Sequence, residues 1–122
     1  MTRARQKTGR EGEEIAARHL LSHGYRILAR GWRTRLGELD LVVSRGGMVV
    51  FVEVKTRRGD AFGPPASAVH GLKQLRLARV ALQFLSDGTH PDAPCRFDVI
   101  AVTLRGATPP LVEHIEDAFR VV

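Results

Sequence analysis

The sequence predicts an α/β domain, and three observations predict it. An amphipathic stretch of helical period covers residues 10–24. Two strand-like runs, 36–43 and 48–55, follow around Ser44-Arg45-Gly46-Gly47, a tight turn whose glycines supply positive φ. A second helical pattern over 67–85 then leads into the β-branched run 96–104, and a helical crossover of this kind favours parallel pairing of the later strand. At 122 residues, 43% of them hydrophobic, the chain forms one domain with a real core.

Residues 1–8 are polar and basic and read as a flexible arm ahead of a single domain over 9–122; the arm is either a tail or a phosphate contact. The first helix is expected to begin near Gly9 or Arg10 and to end at Gly24, a suitable C-terminal cap. Glu11, Glu13 and Glu14 then fall in its first turns, where they complement the helix dipole. Glu13 also shares a stripe with Ala16, Ala17 and Leu20, so it faces inward while Glu11 and Glu14 face water. A capping or dipole role explains Glu13 equally well.

Residues 25–29 read as the first strand. The following basic stretch, 30–35, contains Trp32, Arg33 and Arg35 and suits a nucleic-acid backbone; Trp32 either stacks on a base or packs in the core. In the run 36–43, Glu38 and Asp40 share one face and Leu39 and Leu41 the other, because side chains two apart on a strand point the same way. By the same rule Glu53 and Lys55 point together in the run 48–55, opposite Val52 and Val54. A Glu-x-Lys alone would be a solvated ion pair on an edge strand. An antiparallel hairpin brings it near the carboxylates of the preceding strand if the register agrees.

Residues 57–66 form a Gly/Pro-rich loop, either a segment that closes over substrate or a plain connection. Ser67 can cap the second helix, whose Val69, Leu72, Leu75, Val80, Ala81 and Phe84 pack on the sheet. Lys73, Arg76 and Arg79 form its basic flank, a solvated face or a phosphate track. Residues 86–94 are turn-rich, and 96–104 is expected as a central strand. A short edge strand over 111–115 and a helical turn over 116–120 close the chain. Cys95 precedes an apolar run and is expected as a buried small hydrophobe.

The charge is the unusual feature of the composition. Nineteen Lys and Arg against thirteen Asp and Glu give +6, and Arg dominates. Arg binds phosphates bidentately, so a polyanion is the expected partner; a basic surface that merely aids solubility is the alternative. No His or Cys grouping has zinc spacing, and the five histidines are taken as structural or surface residues. The basic N-terminus lacks the apolar core of a secretory signal, and no apolar run approaches the ~20 residues that span a membrane. A cytoplasmic protein without a membrane partner is the expectation.

Glu13, Asp40 and Glu53 converging in a half-buried place would repel one another, and would either protonate or bind a hard divalent cation. Asp40 and Glu53 are the natural direct ligands for Mg²⁺ or Mn²⁺, with the Val54 carbonyl as a third, and Glu13 could hold a metal-bound water or a second metal. At a scissile phosphate such a metal polarises the phosphoryl oxygen. Lys55 could orient or deprotonate the attacking water or stabilise the pentavalent charge.

Gly37-Glu38-Leu39-Asp40-Leu41-Val42 followed by Val50-Phe51-Val52-Glu53-Val54-Lys55-Thr56-Arg57 resembles the metal-site signature of the PD-(D/E)xK restriction-endonuclease-like fold. From about Lys7 to Phe119 the chain resembles the bacterial YraN-like family of predicted endonucleases. Gly12-Glu13, Gly24-Tyr25, Phe62-Gly63 with Ala68-Val69, Lys73-Gln74 and Arg96-Phe97-Asp98-Val99 also match. The layout is similar to that of archaeal Holliday-junction resolvases. The resemblance implies a mixed central sheet flanked by helices. It also implies a catalytic set of Glu13, Asp40, Glu53 and Lys55, a metal held mainly by Asp40 and Glu53, and a possible homodimer. Arg33, Arg35, Arg57, Arg58, Lys73, Gln74 and Arg76 are the candidate nucleic-acid contacts; Gln74 lies near the site, as in related nucleases, or is a plain surface residue. Asp98 is expected to pair with an Arg.

The leading expectation is thus a Mg²⁺- or Mn²⁺-dependent endonuclease acting on double-stranded or branched DNA in repair or recombination. The alternatives are a non-catalytic DNA-binding or partner-recruiting module on the same fold, and a structural protein with a buried ion network.

Overall fold

Local chemistry sets the element ends. The computed structural model describes residues 3–59, 70–88 and 92–120. Helix α1 (Arg3–Ser22) ends in a Schellman motif at Gly24, whose φ is +85°. The Tyr25 N–H donates to the Leu20 carbonyl at 3.1 Å and the Gly24 N–H to the Leu21 carbonyl at 3.2 Å. Strands β1 (Arg26–Thr34), β2 (Gly37–Arg45) and β3 (Met48–Arg58) form an antiparallel meander. Gly46 and Gly47, with φ of 59° and 82°, make the two-residue turn between Arg45 and Met48.

Helix α2 (Gly71–Asp87) then crosses over the sheet. It delivers β4 (Cys95–Arg105) parallel to β3, and β5 (Thr108–Phe119) completes the order β1-β2-β3-β4-β5 with an antiparallel pairing. The architecture is the mixed α/β sheet flanked by helices that was expected, consistent with a restriction-endonuclease-like fold. Helix α1 covers one face, where Ala16, Ala17 and Leu20 pack with Leu41, Val43, Val50, Val52, Ile100 and Val102. Helix α2 covers the other, where Leu77, Val80, Ala81 and Leu85 meet Leu39, Val42, Val49, Phe51 and Val99. Among the described residues no helix is long and apolar enough to cross a membrane.

Several boundaries differ from expectation. Helix α1 begins at Arg3, so residues 3–8 of the expected arm are helical and Glu11, Glu13 and Glu14 lie well inside the helix. The dipole explanation for Glu13 falls away. Strand β1 runs through the basic stretch, because Trp32 packs edge-on against Phe84 at 5.3 Å in the α2-side core. Of the two readings of Trp32, core packing is the one seen.

Helix α2 starts at Gly71, and its N-cap position, His70, makes no capping side-chain bond; Ser67, Val69 and the loop 60–69 lie outside the described residues. Leu72 and Leu75, expected to pack on the sheet, are exposed. Cys95 is exposed, not buried, because it stands at the first position of β4 before the core begins. The central strand is β3, with β4 beside it.

The expected helical turn over 116–120 is instead the end of β5, with Asp117 in a left-handed conformation, and Asp98 supplies the reason. This buried carboxylate accepts two hydrogen bonds from Arg96, at 2.7 and 2.8 Å, and one from the Asp117 N–H at 2.9 Å. It also pairs with His114 Nε2 at 2.7 Å, and Arg96 reaches on to the Tyr25 hydroxyl at 2.9 Å. Asp117 takes a φ of 51° to present its N–H. Burial opposes the charge, but the bonds from His114, Arg96 and Asp117 outweigh it and hold the Asp98 carboxyl below the ordinary carboxylate range.

A depressed folded value means that the carboxylate stabilises the protein above the unfolded pKa of ~3.9, and that this stability is lost as pH falls through the folded value. Asp98→Asn, which leaves Arg96 and its partners half-buried without the charge, is expected to cost about 3–5 kcal/mol at pH 7. The difference from wild type should shrink below about pH 4 in urea melts run as a pH series.

Candidate active site

The site lies where the sheet forks. The β2–β3 ladder runs from Arg45/Met48 to Leu41/Val52 and stops. Beyond that point β2 stays paired with β1 as far as Gly37, and β3 stays paired with β4 as far as Arg58. The two halves of the sheet diverge, and the next residues on either side of the gap are Asp40 and Glu53. Asp40 bridges it: its Oδ2 accepts the Val54 N–H at 2.9 Å, in place of the backbone acceptor that a continuing ladder would supply. The side-chain alternation also breaks here. Leu39 joins the α2-side core and Leu41 the α1-side core, so these leucines do not share a face as a regular strand would require.

The fork opens a cleft of about 620 Å³ lined by Thr8, Gly9, Glu13, Asp40, Glu53, Val54, Lys55, Thr56, Arg57 and Arg58. All four expected catalytic residues are therefore together. Helix α1 brings Glu13 in by an unusually close approach. A Cβ added at Gly12 would stand 1.7 Å from Thr56 Oγ1, so only glycine lets the helix lie this tight against β3.

Electrostatics bind the acids to one another. Burial and the charge of Glu53 push the Asp40 carboxyl up to about 7 against the pull of the Val54 N–H, with Glu13 and Glu38 adding to the rise. Burial likewise raises Glu13, helped by Glu38 and Glu53. Glu53 is only 8% exposed and meets two ammonium groups: Lys73 Nζ at 2.6 Å and Lys55 Nζ at 3.9 Å from the same Oε1. Burial and the neighbouring Lys73 lower Lys55, outweighing the pull of Glu53 and Asp40. Burial opposes the charge on Lys73 too, but its bond to Glu53 holds its ammonium above the ordinary lysine value.

The expected nucleic-acid contacts divide. Arg57 and Arg58 line the cleft; Arg57 donates to Thr103 Oγ1 at 3.2 Å and Arg58 to Thr8 Oγ1 at 3.1 Å. Lys73 and Arg76 line an adjacent groove of about 290 Å³ with Leu36, Gly37 and Glu38. Arg33 and Arg35 are exposed and border neither space; Arg33 pairs with Glu38 at 2.9 Å. Gln74 is half-buried in the first turn of α2. The contact of Lys73 with Glu53 was not anticipated, because three cations spaced by three give no sign of which one reaches inward.

Two hard carboxylates whose repulsion raises Asp40 are the donor type that Mg²⁺ or Mn²⁺ takes, and such a cation relieves the repulsion. Asp40 and Glu53 fit a divalent cation on that ground. Among the described residues no group of three or more His, Cys, Asp or Glu side chains could hold a metal unaided. A cation here would draw its other ligands from backbone, water or phosphate.

Comparison with known proteins places the chain in a family. The sequence profile of the uncharacterised protein family UPF0102 matches residues 12–102. The chain belongs to this family. A UPF0102 protein of Frankia casuarinae is 49% identical over 117 residues, which is 96% of this chain and 99% of the relative. One from Rhodococcus opacus is 44% identical over 111 residues, 91% of this chain and 94% of the relative. One from Symbiobacterium thermophilum is 50% identical over 97 residues, 80% of this chain and 82% of the relative. The YraN-like resemblance is to this same family.

Two outcomes follow from the geometry. In metal-free protein the Asp40 carboxyl carbon should titrate near 7 by NMR. In Glu53→Gln its midpoint should fall, while staying above ~3.9 because burial persists. Gly12→Ala should cost about 1–3 kcal/mol in thermal or urea melts, and Thr56→Gly should recover much of that loss by making room for the methyl group.

Proposed function

We propose that the protein is a metal-dependent endonuclease that hydrolyses phosphodiester bonds in branched or otherwise structured DNA, in the cytoplasm, during repair or recombination. The observation that carries this reading is the fork, which gathers Glu13, Asp40, Glu53 and Lys55 into one cleft with Arg57 and Arg58. Asp40 and Glu53 would hold Mg²⁺ or Mn²⁺, with the Val54 carbonyl and phosphate oxygens beside them. The bound metal supplies Lewis-acid polarisation of the scissile phosphate.

The remaining roles belong to the chain. Arg57 and Arg58 hold the strand by its phosphates and set its register. Lys55, held below the ordinary lysine value by burial and Lys73, orients the attacking water and either takes its proton or offsets charge on the phosphoryl group. Glu13 positions water on the α1 side. A homodimer would bring two such clefts to opposed strands, as double-strand cleavage requires.

Purified protein with Mg²⁺ or Mn²⁺ should cut four-way or flapped DNA in preference to linear duplex. Asp40→Ala and Glu53→Ala should each lower the rate at least about a hundredfold. Linear, flapped and four-way DNA all left intact with either metal would refute this function. One observation favours the second reading, a non-catalytic DNA-binding or recruiting module: Glu53 already has a close internal cation in Lys73. In that case Glu53→Ala would leave both DNA binding and cellular function unchanged.

A further inference from the structure

Lys73 reaches the cleft from the opposite side to Glu13. It lies in the first turn of α2, one turn from the buried Leu77 and two from the buried Val80, so its stem crosses apolar surface before the ammonium meets Glu53. The 2.6 Å contact with Oε1 is far shorter than the 3.9 Å approach of Lys55, which is carried on β3 itself. Lys73 also borders the neighbouring groove with Glu38 and Arg76, so its side chain has a second, open place to go.

We infer that Lys73 is a displaceable counter-ion: its ammonium neutralises Glu53 in the metal-free protein and is expelled toward the adjacent groove when a divalent cation enters at Asp40 and Glu53. The inference rests on the metal reading of the cleft and adds a consequence to it. A divalent cation held by Glu53 would face the Lys73 ammonium across the same carboxylate, and two such charges cannot share one buried carboxylate cheaply. Metal entry therefore frees a positive side chain beside Arg76, in the groove next to the cleft, where a DNA phosphate can take it. Metal and DNA binding then strengthen each other, and by linkage each raises the other's affinity by the same factor.

The test is calorimetric titration of Mn²⁺, without DNA, into wild type, Lys73→Met, Lys73→Arg and Arg76→Gln, with thermal melts confirming that each is folded. Lys73→Met should bind Mn²⁺ roughly tenfold more tightly than wild type, the factor expected from removing one close charged competitor. Lys73→Arg, which keeps the charge, should stay near wild type and serves if the methionine variant does not fold. Arg76→Gln, which removes a charge on the same helix without a contact to Glu53, should change affinity little.

Equal Mn²⁺ affinity in wild type and Lys73→Met would overturn the counter-ion role while leaving the metal site intact. A Lys73→Arg affinity as tight as that expected for Lys73→Met would also overturn it. Equal tightening by Arg76→Gln would replace displacement with a general surface-charge effect. Absence of Mn²⁺ binding in every protein would instead overturn the metal reading on which the inference stands.

Discussion

The hydrogen bond from the Val54 N–H to Asp40 Oδ2 is the contact on which the rest of the site depends. A backbone N–H in the interior of a sheet must find an acceptor. By supplying one from a side chain, Asp40 lets the β2–β3 ladder end in the middle of two longer strands without leaving an unsatisfied donor. The gap that results admits Glu13 from the α1 side and the Lys73 ammonium from the α2 side. The cost is electrostatic: Asp40 is pushed up to about 7, chiefly by burial and by Glu53.

Two adjacent register positions of the β3–β4 pair, Val52 with Asp98 and Glu53 with Val99, contrast in their chemistry. Near the start of β4, Asp98 has every lone-pair direction used, by Arg96, His114 and the Asp117 N–H, and that network ties β4 and β5 to Tyr25 at the end of α1. In the middle of β3, Glu53 shares an excess of negative charge with Asp40 of β2, and Lys73 and Lys55 offset part of it. Both places hold buried or half-buried carboxylates. The first is satisfied within the chain and is structural, whereas the second leaves Asp40 raised even with two lysines at Glu53. That difference separates a scaffold from a site better than burial does. Gly12 serves the second, because the tight crossing of α1 over Thr56 fixes where Glu13 enters the cleft.

Much of this was legible in the sequence. The period-2 runs around Gly46-Gly47, the capping Gly24 and the crossover before 96–104 sufficed for the antiparallel hairpin and the parallel pair, but they put 96–104 rather than β3 at the centre of the sheet. Glu13, Asp40, Glu53 and Lys55 could be placed together because the family resemblance implies the set; face and hairpin rules alone left their convergence conditional on the register. What was not legible depends on distance. The fork contradicts the regular alternation that assigned Leu39 and Leu41 to one face, and alternation cannot announce where a ladder will end. The path of residues 116–120 is dictated by Asp98, distant in sequence. Trp32 and Lys73 look like surface residues in a basic stretch, and only the depth of α2 over the sheet sends one into the core and the other to Glu53. The start of α1 at Arg3 overrode a composition that reads as a polar arm.

The most direct test of the central claim is anomalous diffraction from crystals soaked in Mn²⁺. The account predicts a single strong anomalous peak in the fork, bonded to Asp40 and Glu53, with the Lys73 ammonium withdrawn from Glu53. A peak elsewhere on the molecule, or no peak with the Lys73–Glu53 pair still closed, would contradict it.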